Sequence, residues 1–590
     1  MQIPAQSTQL STLKTTENVP EKVIKIRGYV YNQRIGKSVS FLTLRQGLET
    51  LQCVYTKQSV KGNDISNMLD QMLNLNVSVK EDKNKKNVKN QNQESKKNAN
   101  KKEKKNKKDE KTQQPPQIPS AYNLYTKIPL ESFIEISGTI SISEVIIKSA
   151  TIQNIELQTT SIEIINLSSD LPFALKDGLM NETAAKAQNM ATISFNKLLD
   201  NRFLHFRMPH MHSLYKIING FYINFRYFLN NSEFIEFKTP KLIEASSEGG
   251  ANLFEINFFN RKAYLAQSPQ LYKQMLVLGG FSKVFEIGHV YRAEESNINR
   301  YLSEFTGVDI EMEILDYEIL IHFVWDLLST VFTNIFRDYE RELEFVRRYQ
   351  DFPNLQFTRK PVVLSFVQCK NLLKIYRGYD NLSDNISENV DRMDFSNVFD
   401  INFNHYIFEN LNLNDFNRED EKILGFIVKK HFDTDMFVVK DYPKAVRAFY
   451  TKSKKYLNKI INEKVANSDN DDNKLLDKNE TKIASSNKLF DDKIKTYNDI
   501  FSNSFDFILR GEEILSGAQR IDNYAELVES IESNNICIKT LSGYLDAFKY
   551  GVPTHGGCGI GFERLLKSFF NFKDIRYFSS FPRDPTRLYP

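Results

Sequence analysis

One stretch of 28 residues restricts the fold more than any other, because its polar residues recur with the two-residue period of extended strands. Residues 285–312 read FEIGHVYRAEESNINRYLSEFTGVDIEM. Side chains alternate between the faces of a strand, so Arg292 and Glu294 share one face of a first arm. Asp309 and Glu311 likewise share one face of a second arm. The stretch therefore predicts an antiparallel hairpin that carries cationic and acidic groups on a common face.

The segment between the two arms is polar and too long for a tight turn. It runs from Glu295 to Ser303 and contains Arg300, which suits a loop that closes over an anionic ligand. An isolated Arg-x-Glu pattern is more often a solvated strand pair with incidental ion pairs. The interpretation as a binding site therefore depends on the whole stretch and on what surrounds it.

Length and composition narrow the class of protein. A chain of 590 residues with 41% hydrophobic residues predicts two or three folded domains. No run of about 18 apolar residues occurs, so we expect no membrane span. The N-terminus has neither a signal peptide nor a transit pattern, which favours the cytoplasm. The four cysteines have no metal-type spacing and indicate reduced thiols rather than disulfides or structural zinc.

Two low-complexity tracts divide the chain. The first, at about 57–117, contains Lys80–Lys111, where 14 lysines face six acidic residues. With almost no large apolar side chain, it cannot offset the entropy of ordering and is predicted to be disordered. A basic tract of this kind suits contact with RNA phosphates, but drift toward Asn and Lys explains its composition equally well. A second insertion is predicted at about 452–496.

The N-terminal segments have the texture of short strands. VIKIRGYVYN from Val23, SFLTLRQ and LETLQCVY precede the first tract, and FIEISGTISIS and TSIEIINL follow it. About five strands rich in β-branched and aromatic residues suit an OB-fold barrel, although immunoglobulin-like and other small β folds fit the count as well.

Several later segments have recognisable signals. Residues 214–229 keep the spacing of an amphipathic helix. SPQLYKQMLVLGG, from Ser268, begins with helix-start residues and ends in glycines, and it places Gln270 and Lys273 on one face. SFDFILRGEEILSGAQRI contains glycines that predict strand and turn rather than helix. GVPTHGGCGIGFER is a glycine-rich turn that leads into a helix.

Taken in order, these stretches resemble the three motifs of the class II aminoacyl-tRNA synthetases, and their flanks are most similar to the aspartyl-tRNA synthetases of eukaryotes and archaea. The resemblance implies a multidomain α+β protein with an N-terminal OB-fold barrel and a catalytic domain built on an antiparallel sheet flanked by helices. It also implies ATP, Mg²⁺, L-aspartate and tRNA-Asp as ligands, and a homodimer formed through the first motif. The corresponding domains are a tail at 1–20, an anticodon-binding domain at 21–167, a hinge at 168–205 and the catalytic domain at 206–590.

The resemblance also assigns roles to individual residues. Those implied to bind ATP are Arg292, Glu294, Arg300, Tyr301, Leu302, Phe305, Glu513, Gly561 and Arg564, of which Arg292, Glu513 and Arg564 are implied to be catalytic. Those implied to bind aspartate are Glu248, Gln270, Lys273, Arg292, Asp309, Ser516 and Arg520. Glu513 and Ser516 are implied to hold Mg²⁺, and Phe41, Gln52 and Glu156 are implied to contact the anticodon.

The implied roles make chemical sense. Arg292 would bridge the α-phosphate and the substrate carboxylate, and Arg300 would contact the γ-phosphate. Phe305 and Arg564 would sandwich the adenine, which suits a planar guanidinium. No strong base is needed because the attacking carboxylate is already ionised, so catalysis depends on positioning and charge stabilisation. Lys273 and Arg520 would oppose the side-chain carboxylate of aspartate.

Two other functions fit the same motifs, and two positions depart from them. An asparaginyl-tRNA synthetase shares the fold, but it should avoid a full positive charge at the substrate side chain. A non-catalytic tRNA-binding relative should have lost the charged residues that this chain retains. Family members often carry His where this chain has Asn299 and Tyr301, which affects the expected contacts with the tRNA acceptor end. Cys558 stands where glycine is usual.

The basic tract gives a test that needs only the sequence. Each phosphate that a lysine neutralises releases condensed counterions, so deleting Lys80–Lys111 should weaken all tRNAs about equally and flatten the plot of log K against log salt by about 0.7 to 0.9 per lost contact. The measurement compares tRNA-Asp with a non-cognate tRNA at several salt concentrations. Identical slopes with and without the tract would show that it is a passive insertion.

Overall fold

A computed structural model of the protein describes residues 8–13, 23–56, 128–244, 253–295, 299–379, 382–399, 411–454 and 500–589. The insertion predicted at about 57–117 lies outside these ranges, as does most of the one predicted at about 452–496. The described chain continues to Lys454, and Lys452 is buried with ion pairs to Asp522 and Glu526. The folded part therefore extends slightly beyond the predicted start of the second insertion.

The chain forms two compact units. The first consists of Met1–Leu179, Ala185–Ile193 and Phe206–His212, and the second of Met180–Ala184, Ser194–His205 and Ser213–Pro590. Sixteen strands lie in the described residues: β1 Ile24–Arg34, β2 Val39–Gln46, β3 Glu49–Thr56, β4 Phe133–Ile142, β5 Ile155–Asn166, β6 Ile235–Glu236, β7 Leu242–Ile243, β8 Glu255–Phe258, β9 Arg261–Leu265, β10 Lys283–Tyr291, β11 Glu304–Glu313, β12 Val363–Ser365, β13 Met436–Lys440, β14 Ser504–Leu509, β15 Glu512–Gln519 and β16 His555–Gly561.

The helices of the described residues surround these strands. They are α1 Leu10–Leu13, α2 Glu182–Ala187, α3 Phe195–Asp200, α4 Arg202–His205, α5 Pro209–Asn231, α6 Gln270–Leu278, α7 Tyr317–Asp338, α8 Glu340–Tyr349, α9 Phe366–Arg377, α10 Ile386–Asp391, α11 Ser396–Phe399, α12 Arg418–Phe432, α13 Tyr524–Ser533, α14 Ser542–Ala547 and α15 Phe562–Phe569. Short 3₁₀ turns occur at Leu175–Gly178, Lys444–Val446, Ile538–Leu541 and Ile575–Tyr577.

The first unit is a closed five-stranded barrel, which confirms the predicted OB-type fold. Its strands follow the order β1-β2-β3-β5-β4, and the β3–β5 pair is parallel while the others are antiparallel. Leu42 and Leu44 of β2 point into the apolar core together with Ile134 and Ile136 of β4. The alternation of these residues along the sequence is what places one face of each strand inside.

Part of the predicted N-terminal tail packs on this barrel. Leu10 and Leu13 of α1 belong to the barrel core. The Leu10 amide donates to Gln46 Oε1 at 2.7 Å, and the Thr8 amide donates to the Lys25 carbonyl at 2.7 Å. Two residues of the predicted tail therefore belong to the core of the barrel.

The second unit is built on an eight-stranded sheet of order β12-β13-β14-β15-β16-β11-β10-β6. Most neighbours are antiparallel, and parallel pairs occur at the two edges, β12–β13 and β6–β10. A separate small sheet has the order β7-β9-β8. The predicted hairpin is confirmed: β10 and β11 pair antiparallel with Gly288 opposite Gly307 and Glu286 opposite Asp309. Arg292 and Glu294 follow directly after the end of β10.

Helices cover the sheet, as the long amphipathic patterns predict. The pattern at 214–229 lies within α5, and the one that begins at Ser268 gives α6, which starts at Gln270 rather than at Pro269. The helix α7 is long and apolar enough to cross a membrane by length and composition alone. Its Trp325 and Leu328 are fully buried against the rest of the unit, so it has the packing of a core helix.

Candidate active site

One cavity, of about 620 Å³, is lined by most residues that the sequence singled out as binding ATP or aspartate. It opens over β11, β15 and β16 of the second unit. The predicted residues that line it are Gln270, Arg292, Glu294, Arg300, Tyr301, Leu302, Phe305, Asp309, Glu513, Ser516, Arg520, Gly561 and Arg564. Glu248 lies outside the described residues. Stretches far apart in the sequence therefore meet in one place.

Lys273, which was predicted to bind the substrate, does not line the cavity but lies buried behind Asp309, paired with carboxylates of β11. Lys273 Nζ donates to Asp309 Oδ1 at 3.0 Å and lies 3.5 Å from Glu311 Oε2. It also donates to the main-chain carbonyls of Ile310 and Cys558 at 3.3 and 3.1 Å. Only 4% of the Lys273 side chain is exposed, so its charge is held by the protein interior rather than by water.

Glu311 also binds Arg520, the residue that directly follows β15. Arg520 donates from Nε to Glu311 Oε1 at 2.9 Å and from Nη2 to Glu311 Oε2 at 3.1 Å, a bidentate pair. Burial alone would raise the pKa of Glu311, but Arg520 and Lys273 outweigh it and hold the pKa below its usual value. Both cations that sequence reasoning set against the substrate thus have a carboxylate partner in the protein.

Glycines of β16 make room for these charges. A Cβ atom on Gly557 would lie 2.2 Å from Glu311 Oε2, and one on Gly559 would lie 3.2 Å from Asp309 Oδ1. Cys558, where the family usually has glycine, is fully buried next to Gly517. Its carbonyl, not its side chain, contacts Lys273, so the departure leaves the charged groups in place.

Aromatic rings and guanidinium groups line the outer part of the cavity. The Arg292 guanidinium lies 5.6 Å from the centre of the Phe305 ring, and that of Arg564 lies 5.7 Å from the Tyr301 ring. Arg564 Nη1 also donates to the Glu513 carbonyl at 3.3 Å. Such surfaces suit a planar ring and an anionic chain.

Arg300 is engaged differently from what the resemblance implies. Its Nη2 donates to both carboxylate oxygens of Glu421, at 2.9 and 3.1 Å, and its Nε lies 3.2 Å from Glu512 Oε1. Glu512 is in turn paired with Lys567 at 2.5 Å. A phosphate that reaches Arg300 must therefore compete with two carboxylates. Sequence reasoning missed Glu421, which comes from α12.

A second missed group lies beside the residues implied to hold Mg²⁺. Asp506 of β14 is directly opposite Ser516 of β15 in the ladder. Arg447 donates to Asp506 Oδ2 at 2.6 Å and to Ser516 Oγ at 3.0 Å. The other oxygen of Asp506 is buried without a hydrogen-bond partner. The available signal was a single acidic residue among apolar ones, placed across a tight turn from Ser516.

Glu513 is the carboxylate of this group that is open to the cavity. Burial raises the pKa of Glu513 to about 7, and the negative charge of Asp506 adds to the shift. Its side chain nevertheless keeps 35% of its surface exposed, because it faces the cavity. The described residues contain no cluster of three or more His, Cys, Asp or Glu side chains arranged for a metal. Glu513 has the oxygen ligands that Mg²⁺ prefers, but an ion that also used Ser516 or Asp506 would have to displace Arg447 from them.

The residues implied to read an anticodon meet on the outer face of the barrel. Phe41 is half-buried and lies outside the apolar core, with the Arg34 guanidinium 5.2 Å from its ring. Arg34 donates to Gln52 Oε1 at 2.6 Å, and Gln52 donates to Glu156 Oε2 at 3.1 Å. One continuous surface results, with an aromatic face beside polar groups, which is the arrangement that suits an unpaired base.

Comparisons with known proteins agree with this geometry. A family model for class II tRNA synthetases (D, K and N) matches residues 194–585. The probable cytoplasmic aspartate–tRNA ligase of Enterocytozoon bieneusi is 37% identical over 98% of this chain and 95% of its own. That of Encephalitozoon cuniculi is 41% identical over 79% of this chain and 84% of its own.

The fold comparison points in the same direction. The solved aspartyl-tRNA synthetase of Entamoeba histolytica is 28% identical, with a TM-score of 0.69, and the match covers 99% of this chain and 93% of that one. A nucleotide-sized cavity on an antiparallel sheet, reached by three separated motifs, defines a class II synthetase. The chain belongs to the class II tRNA synthetases and, within that class, to the aspartate–tRNA ligases.

Phe41 provides a direct test of the barrel surface. Because its ring is partly exposed and outside the core, Phe41→Ala should leave the barrel folded and weaken tRNA-Asp by about 1–3 kcal/mol through lost stacking. Filter binding measures the affinity, and ATP–pyrophosphate exchange is the control, since it does not need tRNA. A fall in exchange as large as the fall in aminoacylation would show that the ring serves packing.

Proposed function

We propose that the protein activates L-aspartate with ATP to form aspartyl-adenylate and then transfers aspartate to the 3′ end of tRNA-Asp. The buried charges at the inner end of the cavity carry this proposal. Lys273 and Arg520 are paired with Asp309 and Glu311, and Arg520 also lines the cavity. A substrate carboxylate can accept a charged hydrogen bond from Arg520, whereas the neutral amide of asparagine gains less from a cation there. This difference favours aspartate.

The first step joins the substrate α-carboxylate oxygen to the α-phosphorus of ATP and breaks the bond to pyrophosphate. No proton needs to be removed from the attacking group. Arg292 binds the α-phosphate and the attacking carboxylate and stabilises the charge that develops between them. Asp309 accepts from the substrate ammonium, and Lys273 with Arg520 meets its side-chain carboxylate. Catalysis therefore consists of alignment and electrostatic stabilisation.

The nucleotide occupies the outer part of the cavity. Phe305 and Arg564 stack on the adenine, Glu294 contacts its edge, and Tyr301, Leu302 and Gly561 complete the pocket. Arg300 binds the γ-phosphate after leaving its carboxylate partners. Glu513 and Ser516, with Asp506, would hold Mg²⁺, which supplies neutralisation of phosphate charge when it is bound.

Gln270 completes the aspartate pocket from α6, where its amide donates to Gln274 Oε1 at 3.1 Å. Glu248 is proposed to approach the substrate ammonium. These roles follow the family match residue by residue and are consistent with the cavity lining.

The rest of the chain serves tRNA and assembly. The domain at 21–167 reads the anticodon through Phe41, Gln52 and Glu156, and it is followed by a hinge at 168–205 and the catalytic domain at 206–590. We propose a homodimer formed through α5 and the strand after it, in the cytoplasm, where the named relatives act. Exposed apolar side chains on α5, Ile223 and Tyr227, support this interface.

Amino-acid selectivity tests the contact with Arg520. ATP–pyrophosphate exchange should depend on aspartate, and asparagine should be poorer by about 10³-fold in kcat/KM, because its amide cannot replace the charged hydrogen bond that a carboxylate accepts from Arg520. The assay is run with each amino acid at saturating ATP. Equal exchange with asparagine would contradict the assignment to aspartate.

Arg292 tests the position of the reacting groups. Arg292→Ala should lower kcat for adenylate formation by about 10²- to 10³-fold, since the lost contacts are to charge that develops during the transfer. Circular dichroism and tRNA binding provide the controls for folding. A folded variant with the wild-type exchange rate would place the reaction elsewhere.

A further inference from the structure

A fully buried arginine far from the cavity holds the C-terminal segment in place. Arg202 of α4 is 1% exposed. It donates to the carbonyls of Ser579 at 2.8 Å, Ser580 and Tyr577 at 3.0 Å and Arg576 at 3.3 Å. Its Nη1 lies 2.9 Å from His205 Nδ1. A planar guanidinium can satisfy several carbonyls at once because it presents five donors in fixed directions.

The segment held by Arg202 continues to the hairpin that carries Arg292. Three residues beyond Ser580, the carbonyl of Arg583 accepts from the Ser303 amide at 2.8 Å. The Ser303 carbonyl accepts from the Arg292 amide at 3.0 Å. At the other end of the segment, the Ile575 amide donates to the Asn299 carbonyl at 2.9 Å. Residues 299–303 are thus hydrogen-bonded to the C-terminal segment at both of their ends, Asn299 and Ser303.

These contacts form a short route from α4 to the main chain of Arg292. Residues 299–303 include Arg300, Tyr301 and Leu302, which line the cavity. They lie between the hairpin loop and β11, which begins only at Glu304, so they are outside the strand ladder of the sheet. A segment of this kind keeps one position only if its neighbours fix it. The C-terminal segment does so, and it is fixed in turn by Arg202.

We propose that Arg202 is a positioning residue for adenylate formation: by holding residues 576–580, it fixes the strand-like contact between Arg583 and Ser303 and so the placement of the ATP-binding arm. This inference rests on the proposed function. Arg202 touches no reacting group. Residues 300–302 line the nucleotide end of the cavity, and Arg292 is the one proposed aspartate-binding residue of this arm, so the effect should be larger on ATP binding than on aspartate binding.

Arg510 gives a matched control. Like Arg202, it is an arginine of the second unit that donates to main-chain carbonyls, at 2.9 Å to Phe569 and 2.6 Å to Pro353, although its side chain is only half-buried. Burial lowers the pKa of both guanidinium groups. The carbonyls that Arg510 binds belong to the end of α15 and to the segment before β12, and they make no contact with Ser303. Replacing either arginine by lysine removes the fork and keeps the charge.

The experiment compares wild type, Arg202→Lys and Arg510→Lys in the full-length protein. Amide hydrogen exchange without ligands is read at Ser303 and Arg292, and ATP–pyrophosphate exchange gives KM for ATP and for aspartate. Arg202→Lys should speed exchange at both amides and raise KM for ATP about 10-fold, while KM for aspartate, which involves Arg292 alone of this arm, rises by a clearly smaller factor. Arg510→Lys should lower the melting temperature by a similar amount and leave both KM values unchanged.

Several results would overturn the proposal: unchanged protection of Ser303 in a folded Arg202→Lys variant, an equal rise in both KM values, or the same rise in Arg510→Lys. If Arg202→Lys does not fold, Ser303→Pro carries the test, because it removes the amide that donates to Arg583. It should raise KM for ATP by a similar factor. Where both variants fold, their double variant should show no further rise, whereas additive effects would contradict a shared route.

The two proposals can fail separately. A wild-type protein that shows no aspartate-dependent exchange would contradict the proposed function. The protection of the Ser303 amide would still decide whether Arg202 fixes the arm.

Discussion

Four charged side chains buried under the cavity constrain how the elements of the second unit pack against one another. Lys273, Asp309, Glu311 and Arg520 come from α6, β11 and the end of β15, and they form one connected set. Removing one member of such a set would leave an opposite charge buried alone, which costs several kcal/mol. The requirement fixes how α6 and β15 meet β11. It also makes β16 a glycine strand, because side chains at Gly557 would collide with Glu311.

The proposed substrate site is the part of the cavity that lies above these paired charges. The inner end has preformed charges that need no rearrangement to meet an amino acid, and such preorganisation is the main source of electrostatic catalysis. At the nucleotide end, Arg300 must leave Glu421 and Glu512 before it can bind a phosphate. The residues around it, 299–303, are held by hydrogen bonds to the C-terminal segment. Aspartate selection and nucleotide placement therefore depend on different parts of the unit, and variants can separate them.

Local patterns predicted much of this. The period of two in residues 285–312 predicted the hairpin, because strand faces alternate whatever the surroundings. The helix signals around Gln270 predicted α6 to within a residue, and the family resemblance named most of the charged residues that line the cavity. Phe41 was ambiguous between core and surface until the register put it on the outer face beside Arg34.

What the sequence could not provide was pairing over long distances. Glu421 is 121 residues from Arg300, and Arg202 is 378 residues from Ser580, so no spacing rule connects them. The pairing of Lys273 and Arg520 with Glu311 was missed for the same reason: Glu311 looked like one more polar residue of an arm, and only the fold shows that it pairs with both. The packing of Leu10 on the barrel was hidden by its weakly apolar surroundings.

The central claim is that the buried charge set, through Arg520, selects an anionic substrate side chain. The most direct measurement is calorimetric binding of two non-hydrolysable adenylate analogues, aspartyl and asparaginyl, that differ in this one group. We predict binding of the aspartyl analogue that is tighter by about 10²-fold or more, since only its carboxylate can accept a charged hydrogen bond from Arg520. Equal affinities for the two analogues would contradict it.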